Sequence, residues 1–248
     1  MYSKETINQY KEYVNAPWGK LFYRVLHKQI ETSMIDMNLL DINQKILDFG
    51  SGFGITSEYF SNKHSVIAIE SNKEMIQNHK VKYEQIIGSI NELKTFPQNT
   101  FDSIFCHNVL EYVDNNEEYL IELIRVLKPN GILSLVCHNF TGKIISTCVV
   151  NENPSMAFNY INKIEIPESD NFGKINYLNF EILDKILKMN NCIIKFDFGI
   201  RIFWGIIKNN KIKYDLKWNE DMYNLEIELS NKSPFKDIGF WKHYIISK

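Results

Sequence analysis

The stretch Lys45-Ile46-Leu47-Asp48-Phe49-Gly50-Ser51-Gly52-Phe53-Gly54 decides how the rest of this 248-residue chain is read. A mostly apolar run is followed by three glycines at alternate positions, and then Ile55, Tyr59 and Phe60 continue at helical spacing. That order predicts a strand, a tight turn and a helix. Next along the chain, Val66-Ile67-Ala68-Ile69 is a second strand ending at Glu70, and Ser71-Asn72-Lys73-Glu74 has the Ser-x-x-Glu form that opens a helix. A third strand is expected over 85–88 and a fourth over 101–107. Leu120, Leu123, Ile124 and Leu127 then line one helix face, which Pro129-Asn130-Gly131 should stop before a strand over 132–136. Upstream, Phe22, Val25, Leu26, Gln29 and Ile30 share one face of a helix within the first 40 residues.

Alternating strands and helices, with strands that are apolar on both faces, predict the α/β class: a doubly wound, mostly parallel sheet with helices on both faces. From about residue 138 the alternation lapses in a segment holding Pro154 and Pro167, and a stretch of that length predicts a lid beside a site. A helix marked by Phe180, Leu183, Ile186 and Leu187, a strand over 192–198, a basic hairpin reaching Trp218 and a final strand over 241–247 complete the chain. The expected organisation is one domain, with 1–40 as a helical cap, 41–137 as the core and 138–248 as the substrate side.

Composition narrows the classes. Apolar residues at 44% and charged residues at 23% suit a chain that buries a core, which excludes a disordered or fibrous protein. No apolar run reaches the roughly 18 residues of a membrane span, and the N-terminus lacks the apolar segment of a secretory signal, so a cytoplasmic protein is expected. Four cysteines (Cys106, Cys137, Cys148, Cys192) without metal-site spacing are expected to be buried free thiols, with neither disulfide nor metal. The net charge of -2 confines any nucleic-acid contact to a local basic face.

In such a sheet ligands bind beyond the carboxyl ends of the strands, which places Asp48 to Gly54, Glu70, Ile90-Asn91 and His107-Asn108 at the site. Glycines after the first strand allow close approach of a cofactor, and an acid about 20 residues on can accept hydrogen bonds from both hydroxyls of a ribose. Asn91, beside apolar Ile90, can bond an adenine edge. The dinucleotide fingerprint G-x-G-x-x-G fails, because its third glycine would fall at Ile55 or Ser57. What stands is D-x-G-x-G-x-G (Asp48, Gly50, Gly52, Gly54), in which an acid beside the turn suits a cationic ligand.

These residues, together with Val126-Leu127-Lys128-Pro129-Asn130-Gly131-Ile132-Leu133, resemble the motifs of class I S-adenosylmethionine-dependent methyltransferases. The resemblance implies a Rossmann-like seven-stranded fold with a substrate-side cap, and S-adenosyl-L-methionine as the cofactor. His107-Asn108-Val109-Leu110-Glu111-Tyr112-Val113, His138-Asn139-Phe140-Thr141-Gly142, Gly199-Ile200-Arg201-Ile202-Phe203 and the regions 223–229 and 241–246 further resemble the bacterial tRNA 5-carboxymethoxyuridine methyltransferases. That likeness implies esterification of a modified wobble uridine, with cofactor contacts from Gly50, Ser51 and His107. The family's N-terminal cofactor arginine falls at Phe22 by ungapped comparison, so the resemblance leaves three expectations: Arg24 as its replacement, Lys20 as its replacement, or no such contact. Phe203-Trp204-Gly205 departs from the family's polar continuation.

Arg201, a cation in an apolar run, is the candidate for holding a substrate anion in a two-point fork. Lys195, Lys208, Lys211, Lys213 and Lys217, interleaved with Phe203, Trp204, Tyr214 and Trp218, are the candidate tRNA surface. A small-metabolite methyltransferase and a non-catalytic adenosine-binding module are the alternatives.

Overall fold

The computed structural model describes residues 3–39, 43–169 and 172–248. Two helices open the chain. α1 (Lys4–Asn15) is capped by the Ser3 hydroxyl, which accepts from the Thr6 amide at 3.1 Å, and α2 (Pro17–Asp36) starts on a proline whose missing amide proton costs nothing there. Phe22, Val25, Leu26, Gln29 and Ile30 are all buried on α2, as their spacing predicts.

The strands β1 (Lys45–Phe49), β2 (Ser65–Glu70), β3 (Glu84–Ile87), β4 (Phe101–His107), β5 (Leu127–His138), β8 (Ile193–Ile200) and β9 (Trp241–Ser247) form one seven-stranded sheet in the order β3-β2-β1-β4-β5-β9-β8. β9 alone runs against its neighbours. This is the Rossmann-like, mostly parallel sheet. α4 (Ile90–Thr95), α5 (Asn116–Val126) and α8 (Phe180–Met189) cover one face, packing Leu93, Leu123 and Leu187 on Leu47, Ile104 and Leu135. α2, α3 (Ile55–Phe60) and α9 (Leu216–Leu229) cover the other with Leu26, Phe60 and Met222. The strand order reverses between β1 and β4, so the crevice that accepts ligands lies beyond the carboxyl ends of these strands. Because β9 is reversed, the start of β9 and the end of β8 reach that same edge, in register with the end of β5: His138 pairs with Trp241, and Trp241 with Ile200.

Several local readings need correction. Ser71–Glu74 does not open a helix; residues 71–80 are turns. Asn72 closes a turn of its own by accepting from the Glu74 amide at 3.1 Å, and the Gln77 side chain ties the loop to the Phe53 carbonyl at 2.8 Å, so side chains replace the helical ladder. The reciprocal capping box sits at Ser89 and Glu92 on α4. α5 ends at Val126, earlier than Leu127, because Pro129 bars the helical region to the residue before it and β5 is already pairing at Leu127. The lapse after residue 138 holds α6 (Phe140–Val149), α7 (Pro154–Ile161) and a two-residue ladder of β6 (Glu168–Ser169) with β7 (Gly173–Lys174). The basic stretch before Trp218 is not a hairpin, since β8 pairs with β9 across the intervening α9. Cys148 is exposed on α6, whereas Cys106, Cys137 and Cys192 are buried free thiols. Among the described residues there is no cluster fit to hold a metal and no helix long and apolar enough to cross a membrane.

Candidate cofactor and acceptor site

The glycine turn is shaped by backbone conformation that only glycine adopts cheaply. Gly50, Gly52 and Gly54 have φ of 73°, 56° and 73°. A side chain at Gly50 would run into Val109, and one at Gly54 into the Tyr83 hydroxyl. At Gly52 a Cβ would meet nothing within 4 Å, which leaves an open cradle above the turn. Glu70, 7% exposed at the end of β2, spans that cradle: its Oε2 accepts from the Gly52 amide at 2.8 Å and its Oε1 from the Asn72 amide at 2.7 Å. The Ser71 hydroxyl also donates to Oε1, at 3.4 Å, so of the roughly four acceptor positions of an ionised carboxylate about one is left free, and a second opens to a ligand hydroxyl if this long contact turns away.

Asp48 lies beneath the turn, 3% exposed, with Ser57 Oγ donating to its Oδ2 at 2.6 Å. Burial, reinforced by the charge of Glu70, pushes its carboxyl up to about 6, while the Ser57 hydrogen bonds oppose the shift. A cationic ligand would favour its ionised form. Among the described residues, Asn72 Nδ2 and Asn108 Oδ1, both buried close to the turn, have no hydrogen-bond partner. Buried groups left unpaired are costly, and these two await a ligand or water. Asn72 escaped the sequence reading, although it stands two residues after the strand-end acid, where its amide was the available signal.

An S-adenosylmethionine molecule fits this donor set. Glu70 would take the ribose hydroxyls, the backbone of Gly50 to Gly54 with Ser51 would follow the amino-acid end, and Ile90 and Asn91 would meet the adenine. Ile90 is half-buried and Asn91 exposed at the start of α4, at the rim beyond β3. His107 ends β4 half-buried, stacked on Phe105, with Nε2 2.9 Å from Ser134 Oγ.

Arg24 does not join the site. It is exposed on α2, paired with Glu220 at 3.0 Å and lying over the Tyr223 ring of α9 at 3.9 Å. The helix face that carries it turns away from the sheet, and the neighbouring Tyr23 points inward, hydrogen-bonded to Tyr10. Tyr10 in turn stacks on Phe53 of the glycine turn at 5.6 Å. From there ring contacts run on through Phe172, Tyr112, His138 and Trp241, roofing the strand ends. α1 supplies Tyr10 and Tyr13 to this roof, neither of which the sequence reading singled out.

Over the β5–β9–β8 end stands Arg201, just past β8, with φ 56° and 8% exposure. Its Nη1 donates to the Tyr13 hydroxyl at 2.7 Å, and the rings of Trp204, Phe240 and Trp241 lie 4.8, 5.1 and 5.1 Å from its guanidinium carbon. Its buried Nε has no partner, and no ion pair reaches it among the described residues. Glu226, fully buried on α9, shapes the loop by accepting from the amides of Ile202, Phe203 and Trp204 at 2.7, 2.9 and 2.9 Å. Nearby, the Tyr112 hydroxyl meets His138 Nε2 at 2.9 Å, and burial lowers His138 to about 4. Glu111, 1% exposed, accepts from the His138 amide at 3.2 Å while its Oε2 stays unpartnered.

The expected tRNA surface is partly dismantled. Lys213 is buried, 4.2 Å over the Trp204 ring and bonded to Asn210 at 3.0 Å, and desolvation lowers it to about 8. Trp204 is 1% exposed and so cannot stack on a base. Lys208 pairs with Glu152 at 2.5 Å. Lys195, Lys208, Lys211, Lys217 and Tyr214 are exposed.

Residues 47–135 match the methyltransferase domain family. A ubiquinone biosynthesis O-methyltransferase of Rickettsia typhi is 27% identical over 155 residues, covering 57% of this chain and 63% of that protein. A mitochondrial ubiquinone biosynthesis O-methyltransferase of Schizosaccharomyces pombe is 32% identical over 116 residues, covering 42% of each. The chain thus spans less than two thirds of these curated relatives. Among solved structures, a SAM-dependent methyltransferase of Archaeoglobus fulgidus superposes with a TM-score of 0.55 at 19% identity, covering 89% of this chain and 93% of its own. A possible histamine N-methyltransferase of Thermotoga maritima gives 0.56 at 15% identity, covering 98% and 95%. With the glycine cradle, the strand-end acid and the sheet order all in place, residues 47–135 carry a methyltransferase domain with the fold of S-adenosylmethionine-dependent methyltransferases.

Proposed function

We propose that this protein transfers the methyl group of S-adenosylmethionine to an anionic oxygen of its acceptor, a carboxylate held by Arg201. One observation carries this reading: Arg201 is a buried, fixed cation at the ligand-binding edge with an unpartnered Nε and, among the described residues, no carboxylate in ion-pair contact, the buried Glu226 acting on it only through space while its oxygens accept from backbone amides. A guanidinium so placed suits two-point recognition of a carboxylate. The bound cofactor supplies a methyl carbon already activated by the sulfonium leaving group. The protein's part is to orient the acceptor oxygen in line and to exclude water, which the ring-lined roof from Phe53 to Trp241 suits. A carboxylate with a pKa near ~4 is ionised at neutral pH and needs no general base.

The carboxylate of a modified wobble uridine in tRNA is the acceptor that the sequence resemblance supports, with Lys195, Lys211 and Lys217 left to meet the backbone. A small oxygen acceptor of the quinone-precursor kind is the second reading. The names of the curated relatives favour it, as does the burial of Lys213 and Trp204.

Single-turnover methylation of tRNA and of small aromatic acids, followed from about pH 6 to 8, tests both. A carboxylate acceptor gives a nearly flat profile, and Arg201→Lys slows the step by roughly tenfold or more while leaving cofactor affinity intact. A rate that climbs through the histidine range near ~6.5, with Arg201→Lys unaffected, would overturn the carboxylate assignment.

A further inference from the structure

His107 is reached by a line of buried polar groups that methyl transfer itself does not call on. Gln29 of α2 donates through Nε2 to the Gly199 carbonyl at 3.1 Å, and since only the nitrogen of an amide can donate, the side chain's orientation is settled. Its Oε1 therefore faces His243 Nδ1, 2.7 Å away, and that nitrogen carries the proton. His243 is 0% exposed, without an ion pair among the described residues, and burial keeps it neutral by pushing it down to about 3. Its Nε2 is then a lone pair, to which Ser134 Oγ donates at 2.8 Å. With its one proton committed, the Ser134 hydroxyl can only accept from His107, whose Nε2 must donate across 2.9 Å. Burial also holds His107 neutral, with the nearby His243 and His27 as further causes, so its second nitrogen is unprotonated. No hydrogen bond from the described residues reaches that Nδ1, and it is absent from the buried unpartnered atoms.

We propose that Gln29, His243 and Ser134 are positioning residues that lock His107 in the Nε2-protonated tautomer, so that the imidazole ending β4 presents Nδ1 as a hydrogen-bond acceptor to the bound cofactor. This rests on the cofactor site proposed above. A lone pair at this position selects donor groups, such as an ammonium or a hydroxyl, and repels a carboxylate. It therefore sorts the ligands along the edge: the cofactor's donors meet His107, and the acceptor's anion is left to Arg201. The relay also joins α2, β4, β5 and β9 through side chains whose hydrogen bonds are all paired end to end.

The test is 15N NMR of the full chain labelled at histidine, alone and with S-adenosylhomocysteine, beside calorimetry. In the parent, His107 should show a pyrrole-type Nε2 and a pyridine-type Nδ1 without change from about pH 6 to 8. Ser134→Ala should give mixed tautomers and bind S-adenosylhomocysteine about tenfold more weakly, with Ser134→Thr restoring both. Gln29→Glu, which favours a charged His243, should reverse the relay and move the His107 proton to Nδ1. A parent His107 protonated at Nδ1 overturns the proposal without need of any variant. So does a Ser134→Ala protein with an unchanged tautomer and unchanged affinity. The expected tautomer in a parent that binds no S-adenosylhomocysteine overturns the cofactor reading and the role of Nδ1 toward it.

Discussion

The two ends of the ligand-binding edge are built differently. At the cofactor end, Gly52 and Asn72 bond to Glu70, and Gln77 bonds to Phe53, across at most 24 residues of chain. At the acceptor end, Arg201 is held by Tyr13 at a separation of 188 residues, and Asn139 by the Gly239 carbonyl at 100. A short-range site is dictated by turn chemistry directly after a strand. A long-range site exists only once the sheet has brought its pieces together, so variants at the two ends should fail in different ways.

The largest contrast is expected within the glycine turn. Gly54→Ala combines a left-handed φ of 73° with collision against Tyr83 and should lower stability by about 3 kcal/mol in denaturant titration. Gly52→Ala meets no protein atom and should cost only the ~1–2 kcal/mol of backbone strain, while its methyl group enters the cradle and abolishes tight S-adenosylhomocysteine binding. Equal stability losses without a difference in binding would show that the cradle is not where the cofactor lies.

Next in size is Glu70→Ala, expected to weaken cofactor binding by ~1.5–3 kcal/mol, the range for hydrogen bonds to a charged group. Calorimetry on the folded variant checks it, and unchanged affinity would remove the ribose assignment.

At the acceptor end the sharper probe is pH. Burial raises the Glu111 carboxyl from 4.5 to about 7, with its backbone hydrogen bonds opposing the shift. A carboxyl raised on folding holds more protons folded than unfolded between those values, so its contribution is most favourable below 4.5 and declines as pH climbs to about 7. Glu111→Gln keeps an acceptor for the His138 amide and removes the titration. Relative to the parent, it should gain on the order of 2 kcal/mol between pH 5 and 7.5 in thermal unfolding. A constant difference across that range would mean that Glu111 is ionised in the folded protein.

The smallest effect is expected at Arg24. Its exposed pair with Glu220 is worth at most ~1 kcal/mol, and Arg24→Ala should leave cofactor affinity unchanged. A tenfold loss of affinity would return this arginine to the site. In a tRNA-binding assay, Lys211→Ala should flatten the salt dependence by roughly 0.7–0.9 per lost phosphate contact, whereas Lys213→Met should act on stability alone, because its ammonium lies over Trp204. Equal slopes for Lys211→Ala and the parent would favour the small-acceptor reading.

What the sequence determined by itself lies where structure is local. Near-continuous apolar runs placed β1, β4 and β9, and the glycines after β1 placed the turn, because a strand followed by residues at positive φ has few other ways to fold. Tertiary structure decided the rest. Ser71–Glu74 matches a helix start, yet the Asn72 and Gln77 side chains bind elsewhere and win. Arg24 and Phe22 are two residues apart in sequence and face opposite surroundings, which helix rotation settles once α9 packs beside α2. Lys213 looks like a surface cation until Trp204 comes to lie under it. The line from Gln29 to His107 joins residues up to 214 positions apart, and only a closed sheet, which turns buried polar atoms into obligatory partners, could bring them into one chain of hydrogen bonds.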